Sequence, residues 1–157
     1  MNSKIQIEAD DFLKAYQVLA DNYDSATLAI MGPSVVCLAF AVELYIKDLH
    51  FVLTSKPARG HNILNLFEAL PLEIRQEIFS QNSINQNPFT TRGDIFSPKR
   101  FSETYTPYER FIDQIQTISK GFEKWRYSYE STTLRYDSSF ALALIEAIRS
   151  VANTHRK

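Results

Sequence analysis

The stretch "PSVVCLAFAVELYIKDLHFVLT", residues 33–54, limits the fold more than any other part of the chain. It has no β-type alternation, and its apolar residues cover almost the whole circumference of a helix: Val35, Val36, Leu38, Phe40, Val42, Leu44, Ile46, Leu49, Phe51 and Val52. A helix that is apolar all round belongs inside the protein, so the remaining segments must wrap it. Pro33 suits a first helical turn, which places the start of this helix at the Gly32-Pro33 pair.

The flanking segments carry the periodicity such a wrapping needs. Phe12, Ala15, Tyr16, Leu19, Tyr23, Ala26 and Ile30 recur at threes and fours and predict an amphipathic helix near 8–30. Ile63, Leu66, Phe67 and Leu70 predict a short helix capped by His61 or Asn62, and Pro71 separates it from another near 72–80. Tyr108, Phe111, Ile112, Ile115, Ile118, Phe122 and Trp125 mark a helix over 107–127. Phe140, Leu142, Leu144, Ile145, Ile148 and Val151 mark a last one over 138–154, capped by Asp137 or Ser138. The expected class is all-α, an up-and-down bundle of four main helices with one or two short ones. A chain of 157 residues is read as a single domain, 1–157. Residues 81–106, rich in Asn, Gln, Ser and Thr, are expected to form a long polar loop with room for contacts through Arg92, Lys99 and Arg100.

Composition excludes several classes. One cysteine, Cys37, leaves no intramolecular disulfide and fits a reducing compartment. MNSKIQIEADDF lacks the apolar run of a signal peptide, and Glu43, Lys47 and Asp48 interrupt the longest apolar stretch, so a soluble cytoplasmic protein without a membrane span is expected. The formal net charge of −1 gives no global attraction to nucleic acid, so any basic patch must be local. A single Cys and three scattered His give no zinc spacing, no phosphate-loop or dinucleotide fingerprint occurs, and neither metal nor cofactor is expected.

Three polar constellations interrupt the apolar pattern. Glu43, Lys47 and His50 fall on one stripe of the second helix, with Glu preceding Lys by four, the favourable order for a helical ion pair. The stripe is either that helix's solvent face or a polar site set into a buried helix, where charges must be paired or line a cavity. In "ARGHNILNLFEAL", residues 58–70, Gly60 supplies a turn and His61 stands just before a capped helix, as a packing residue or as a site. In "FEKWRYSYE", residues 122–130, Arg126 continues an apolar stripe inward. An inward arginine needs a carboxylate or phosphate partner. Glu130 and Glu43 are the internal candidates, and an Arg–Glu tie is the structural alternative.

"LAFAVELYIKDLHFVL", "RGHNILNLFEAL" and "KWRYSYE" followed by "FALALIEAIRSVANT" together resemble, in order and spacing, the HEPN family of small helical bundles. The resemblance implies a place among toxins, defence components or partners of nucleotidyltransferases, and it implies homodimers. Family ribonucleases use an Arg, four to six intervening residues and a His, without metal. The family's arginine falls on Arg126, but Ser131, Thr132 and Thr133 stand where the histidine would be. The expectation is therefore a non-catalytic member that binds nucleotide, RNA or a partner protein, such as an antitoxin, through Glu43, Lys47, His61 and Arg126. Glu130 is expected as a structural partner of Arg126. One alternative is a metal-independent endoribonuclease toxin using Arg149 and His155, a literal Arg-x5-His match in the last helix. The other is a structural or interaction dimer with no ligand.

Overall fold

The computed structural model describes residues 3–22, 31–82, 106–126 and 136–156, and only the backbone over 120–126. Among these residues there are six α-helices and no strand: α1 (Lys4–Asp21), α2 (Met31–Thr54), α3 (Ile63–Glu68), α4 (Leu72–Gln81), α5 (Pro107–Arg126) and α6 (Ser138–His155). The fold is all-α, with four long helices and two short ones.

α2 is the central helix, and α1, α3, α5 and α6 all pack against it. Leu38, Ala41, Val42, Ile46 and Leu49 are fully buried along it. Removing a side chain of that kind costs about 2–5 kcal/mol, because apolar burial and contact are lost together. α1 runs antiparallel to α2: Ser3 meets Asp48, Asp10 meets Tyr45, and the rings of Phe12 and Phe40 stack at 5.1 Å. Phe111 of α5 lies at the junction of the other helices, edge-on to Phe67 of α3, Phe79 of α4 and Phe140 of α6 at 5.4–5.7 Å. Such aromatic pairs add about 0.5–1.5 kcal/mol each beyond area burial.

The helix ends follow local chemistry. α1 starts at Lys4, before the expected residue 8, because the Ser3 hydroxyl accepts from the Gln6 amide at 3.0 Å. It stops at Asp21, short of the expected residue 30, and the Asn22 side chain donates to the Val18 carbonyl at 2.7 Å. Residues 23–30 lie outside those described. At the end of α2, Ser55 adopts φ +58° and its amide still reaches the Phe51 carbonyl at 2.8 Å. Asn62, not His61, caps α3, and Asp137 rather than Ser138 caps α6. Of the expected loop 81–106, Gln81 ends α4, Asn82 is its buried C-cap and Thr106 precedes α5; residues 83–105 lie outside those described.

Candidate functional site

Glu43 lies in the middle of α2, where the helix is buried on nearly every side, and is only 3% exposed. A carboxylate held there needs donors. Lys47, one helical turn on, supplies the first from Nζ at 2.7 Å, and its side chain is 15% exposed. His61 supplies the second from Nδ1 at 3.0 Å, to the same oxygen, Oε1. The stripe is thus a polar site set into a buried helix and not the helix's solvent face. His50, its third member, does not join the carboxylate: its Nε2 donates to the Leu66 carbonyl of α3 at 2.8 Å.

The turn between α2 and α3 brings His61 back onto Glu43. The Thr54 hydroxyl donates to the His50 carbonyl at 2.7 Å and accepts from the Lys56 amide at 3.2 Å, which reverses the chain. Gly60 sits at φ +98°, a conformation that glycine adopts without a Cβ penalty. Asn62 then starts α3: its Oδ1 accepts from the Asn65 amide at 2.9 Å and from the Ser119 hydroxyl of α5 at 3.2 Å. Ser119 in turn accepts from the Leu64 amide at 3.3 Å. These bonds pin the turn to α2 on one side and to α5 on the other.

The turn closes one wall of an open groove of about 400 Å³. His50 and Thr54 of α2 line it, with Lys56, Arg59 and His61 of the turn and Asn65 of α3. No carboxylate is among the described lining residues. Lys56 and Arg59 are exposed and form no ion pair with another described residue. The side chain of His61 is 75% exposed, so one edge of its ring is clamped on Glu43 while the other faces outward.

Of the four residues expected to share a pocket, the structure brings Glu43, Lys47 and His61 together. Arg126 ends α5, but its side chain and all of Glu130 lie outside the described residues. Among the described lining residues the groove includes His61 but neither Glu43 nor Lys47, which stand behind it. Lys56 and Arg59 were not anticipated. Their only sequence signal is a pair of cations flanking Pro57 in a segment bounded by Gly60, and periodicity does not say which way such a turn faces.

The alternative pair is held differently. The Arg149 guanidinium lies over the ring of Tyr45 at 5.7 Å and bonds Glu146 at 3.4 Å. His155 bonds Glu77 of α4 through Nε2 at 3.1 Å. Each therefore has its own partners on different helices. A second buried charge also went unanticipated as a site: Asp48, 1% exposed, is tied to Ser3 and Arg156.

The chain matches no family model, no curated protein and no solved structure. No group of three or more potential metal ligands occurs among the described residues, and none of the described helices is long and apolar enough to cross a membrane.

Proposed function

We propose that this chain is a HEPN-like bundle that binds a nucleotide or RNA through the groove between α2, the 55–62 turn and α3. One observation carries the reading: two cations without ion-pair partners among the described residues, two imidazoles and two amide side chains line one groove with no described carboxylate among them. That lining is suited to phosphate, which takes N–H donors and positive charge together. The order of Glu43-x3-Lys47, Gly60-His61-Asn62 and the last two helices supports the HEPN resemblance, and with it a homodimer in a toxin–antitoxin or defence setting.

The site acts by binding rather than cleavage in this reading. Arg149 and His155 are each committed to other contacts, and Ser131, Thr132 and Thr133 occupy the place of the motif histidine. A thermal-shift panel of nucleotides and short RNAs tests it. A ligand that prefers the native state raises the midpoint, by about 2.7 kcal/mol of apparent stability at one hundred times its Kd. A flat response across the panel overturns the binding reading. Cleavage of the RNA that disappears in His61→Ala overturns its non-catalytic part.

A further inference from the structure

Glu43 and Leu66 decide which nitrogen of each groove histidine carries the proton. A carboxylate and a carbonyl can only accept. His61 must therefore donate from Nδ1 to Glu43, and His50 from Nε2 to the Leu66 carbonyl. In the neutral state each ring then has only a lone pair on its other nitrogen: Nε2 of His61 and Nδ1 of His50. A lone pair repels the oxygen of an anion. The groove thus attracts an anion through Lys56 and Arg59, yet the neutral His61 ring, held on Glu43 by Nδ1, cannot donate to that anion unless a proton is added. Histidine gains that proton within the physiological range.

We propose that the groove takes a phosphate monoester, held by Lys56 and Arg59 and by an Nε2–H that His61 acquires as the ligand binds. This rests on the phosphate reading above and goes further in naming the ester and the proton. A monoester carries about −1.5 to −2 charge at pH 7 and three terminal oxygens. An internal diester carries a single charge. Two fixed cations match the charge of the monoester, and with the acquired Nε2–H three donor groups meet its three terminal oxygens. The groove's roughly 400 Å³ is near the lower end of small-ligand sites, which span about 300–1,000 Å³, so it suits one nucleotide or one strand end.

The groups around His61 set the balance. From α2 come the carboxylate of Glu43, the ammonium of Lys47 and the imidazole of His50; from the turn come Lys56 and Arg59. Asn65 of α3, which lines the groove, and Ser119 of α5, which bonds the adjacent Asn62, are neutral. The ring stands between Glu43 on one side and the cations Lys47, Lys56 and Arg59 on the other, and an incoming dianion adds negative charge at its outward edge. Glu43 is then a positioning residue, holding the ring by Nδ1 so that the new proton goes on Nε2.

Calorimetric titration of adenosine 5′-monophosphate into the full chain tests this, at pH 7.5 in two buffers of different ionisation enthalpy. The expected result is a buffer-dependent enthalpy equal to uptake of up to one proton, and binding at least tenfold tighter than adenosine. His61→Gln, a change at an exposed side chain, is expected to abolish the buffer dependence and weaken binding about tenfold, with an unchanged far-ultraviolet spectrum. A 5′-phosphorylated RNA oligomer that binds better than its 5′-hydroxyl form shows the same proton uptake if the phosphate is a strand end. Nucleotide binding without proton uptake, unchanged in His61→Gln, overturns this proposal alone. No binding of either phosphorylated probe overturns the phosphate reading with it.

Discussion

Glu43 is removed from water by the fold, and its Oε1 serves two donors from different parts of the chain. The nearer donor was legible: Lys47 follows Glu43 by four on a helix, and that spacing alone puts them on one face. The farther donor was not. His61 is recognisable as a residue held before a helix, but its approach to Glu43 depends on the hydroxyl of Thr54 and the positive φ of Gly60, which turn the chain back on α2. Tyr45, two residues on from Glu43 in α2, is buried and donates its hydroxyl to Asp10. Burial first, and the Asp10 bond second, push this phenol well above its ordinary value, with the nearby Arg149 opposing. A raised folded-state value means that the native state keeps its proton when the unfolded chain, ionising near pH 10, has lost it. The associated stability is full below about pH 10 and declines as pH rises above it. Urea unfolding at pH 9 and pH 11 is expected to show a smaller loss of stability between the two for Tyr45→Phe than for the wild type. An equal loss in both assigns the alkaline decline to other groups.

At the scale of elements, α2 shows how far hydrophobic pattern reaches. Its apolar circumference required a central position, and the helix lies there, with Leu38, Val42, Ile46 and Leu49 fully buried. The ends of α1 were less legible because Ser3 caps a helix that begins four positions before the expected start, and the stripe from Phe12 onward does not register a hydroxyl outside it. α3 is six residues long and depends on its cap. Asn62 satisfies the Asn65 amide and also accepts from Ser119, so it joins the helix start to α5. Asn62→Ala is expected to lower stability by about 1–2 kcal/mol, the upper part of the range for a lost N-cap. A double-mutant cycle with Ser119→Ala should show non-additivity of about 0.5 kcal/mol or more in denaturant unfolding, since the two share one bond network. Strictly additive losses contradict that network.

Over the whole molecule, the two described ends of the chain meet on α2. Ser3 before α1 and Arg156 after α6 both bond Asp48, and Arg156 also bonds Gln6. Asp48 was visible in the sequence as a charge in an apolar helix. Its partner stands 108 residues away, a separation over which no helical period carries information. Arg156→Ala leaves this carboxylate buried without its cation, and such a loss costs about 3–5 kcal/mol. The exposed Arg149–Glu146 pair serves as the contrast, because surface pairs contribute about 0–1 kcal/mol. Chemical denaturation of Arg156→Ala and Glu146→Ala should reproduce that order; equal effects contradict the clamp.

One groove of the bundle holds two cations that no described acid answers, Lys56 and Arg59, with the rings of His50 and His61 beside them. The proposed phosphate-bearing ligand would bind in this groove, and amide and imidazole resonances of the isotopically labelled chain read its binding residue by residue. Titration with adenosine 5′-monophosphate is predicted to move the signals of His50, Lys56, Arg59, His61 and Asn65 while those of α1 stay in place. Perturbations confined to another face, or none at millimolar nucleotide, contradict the account.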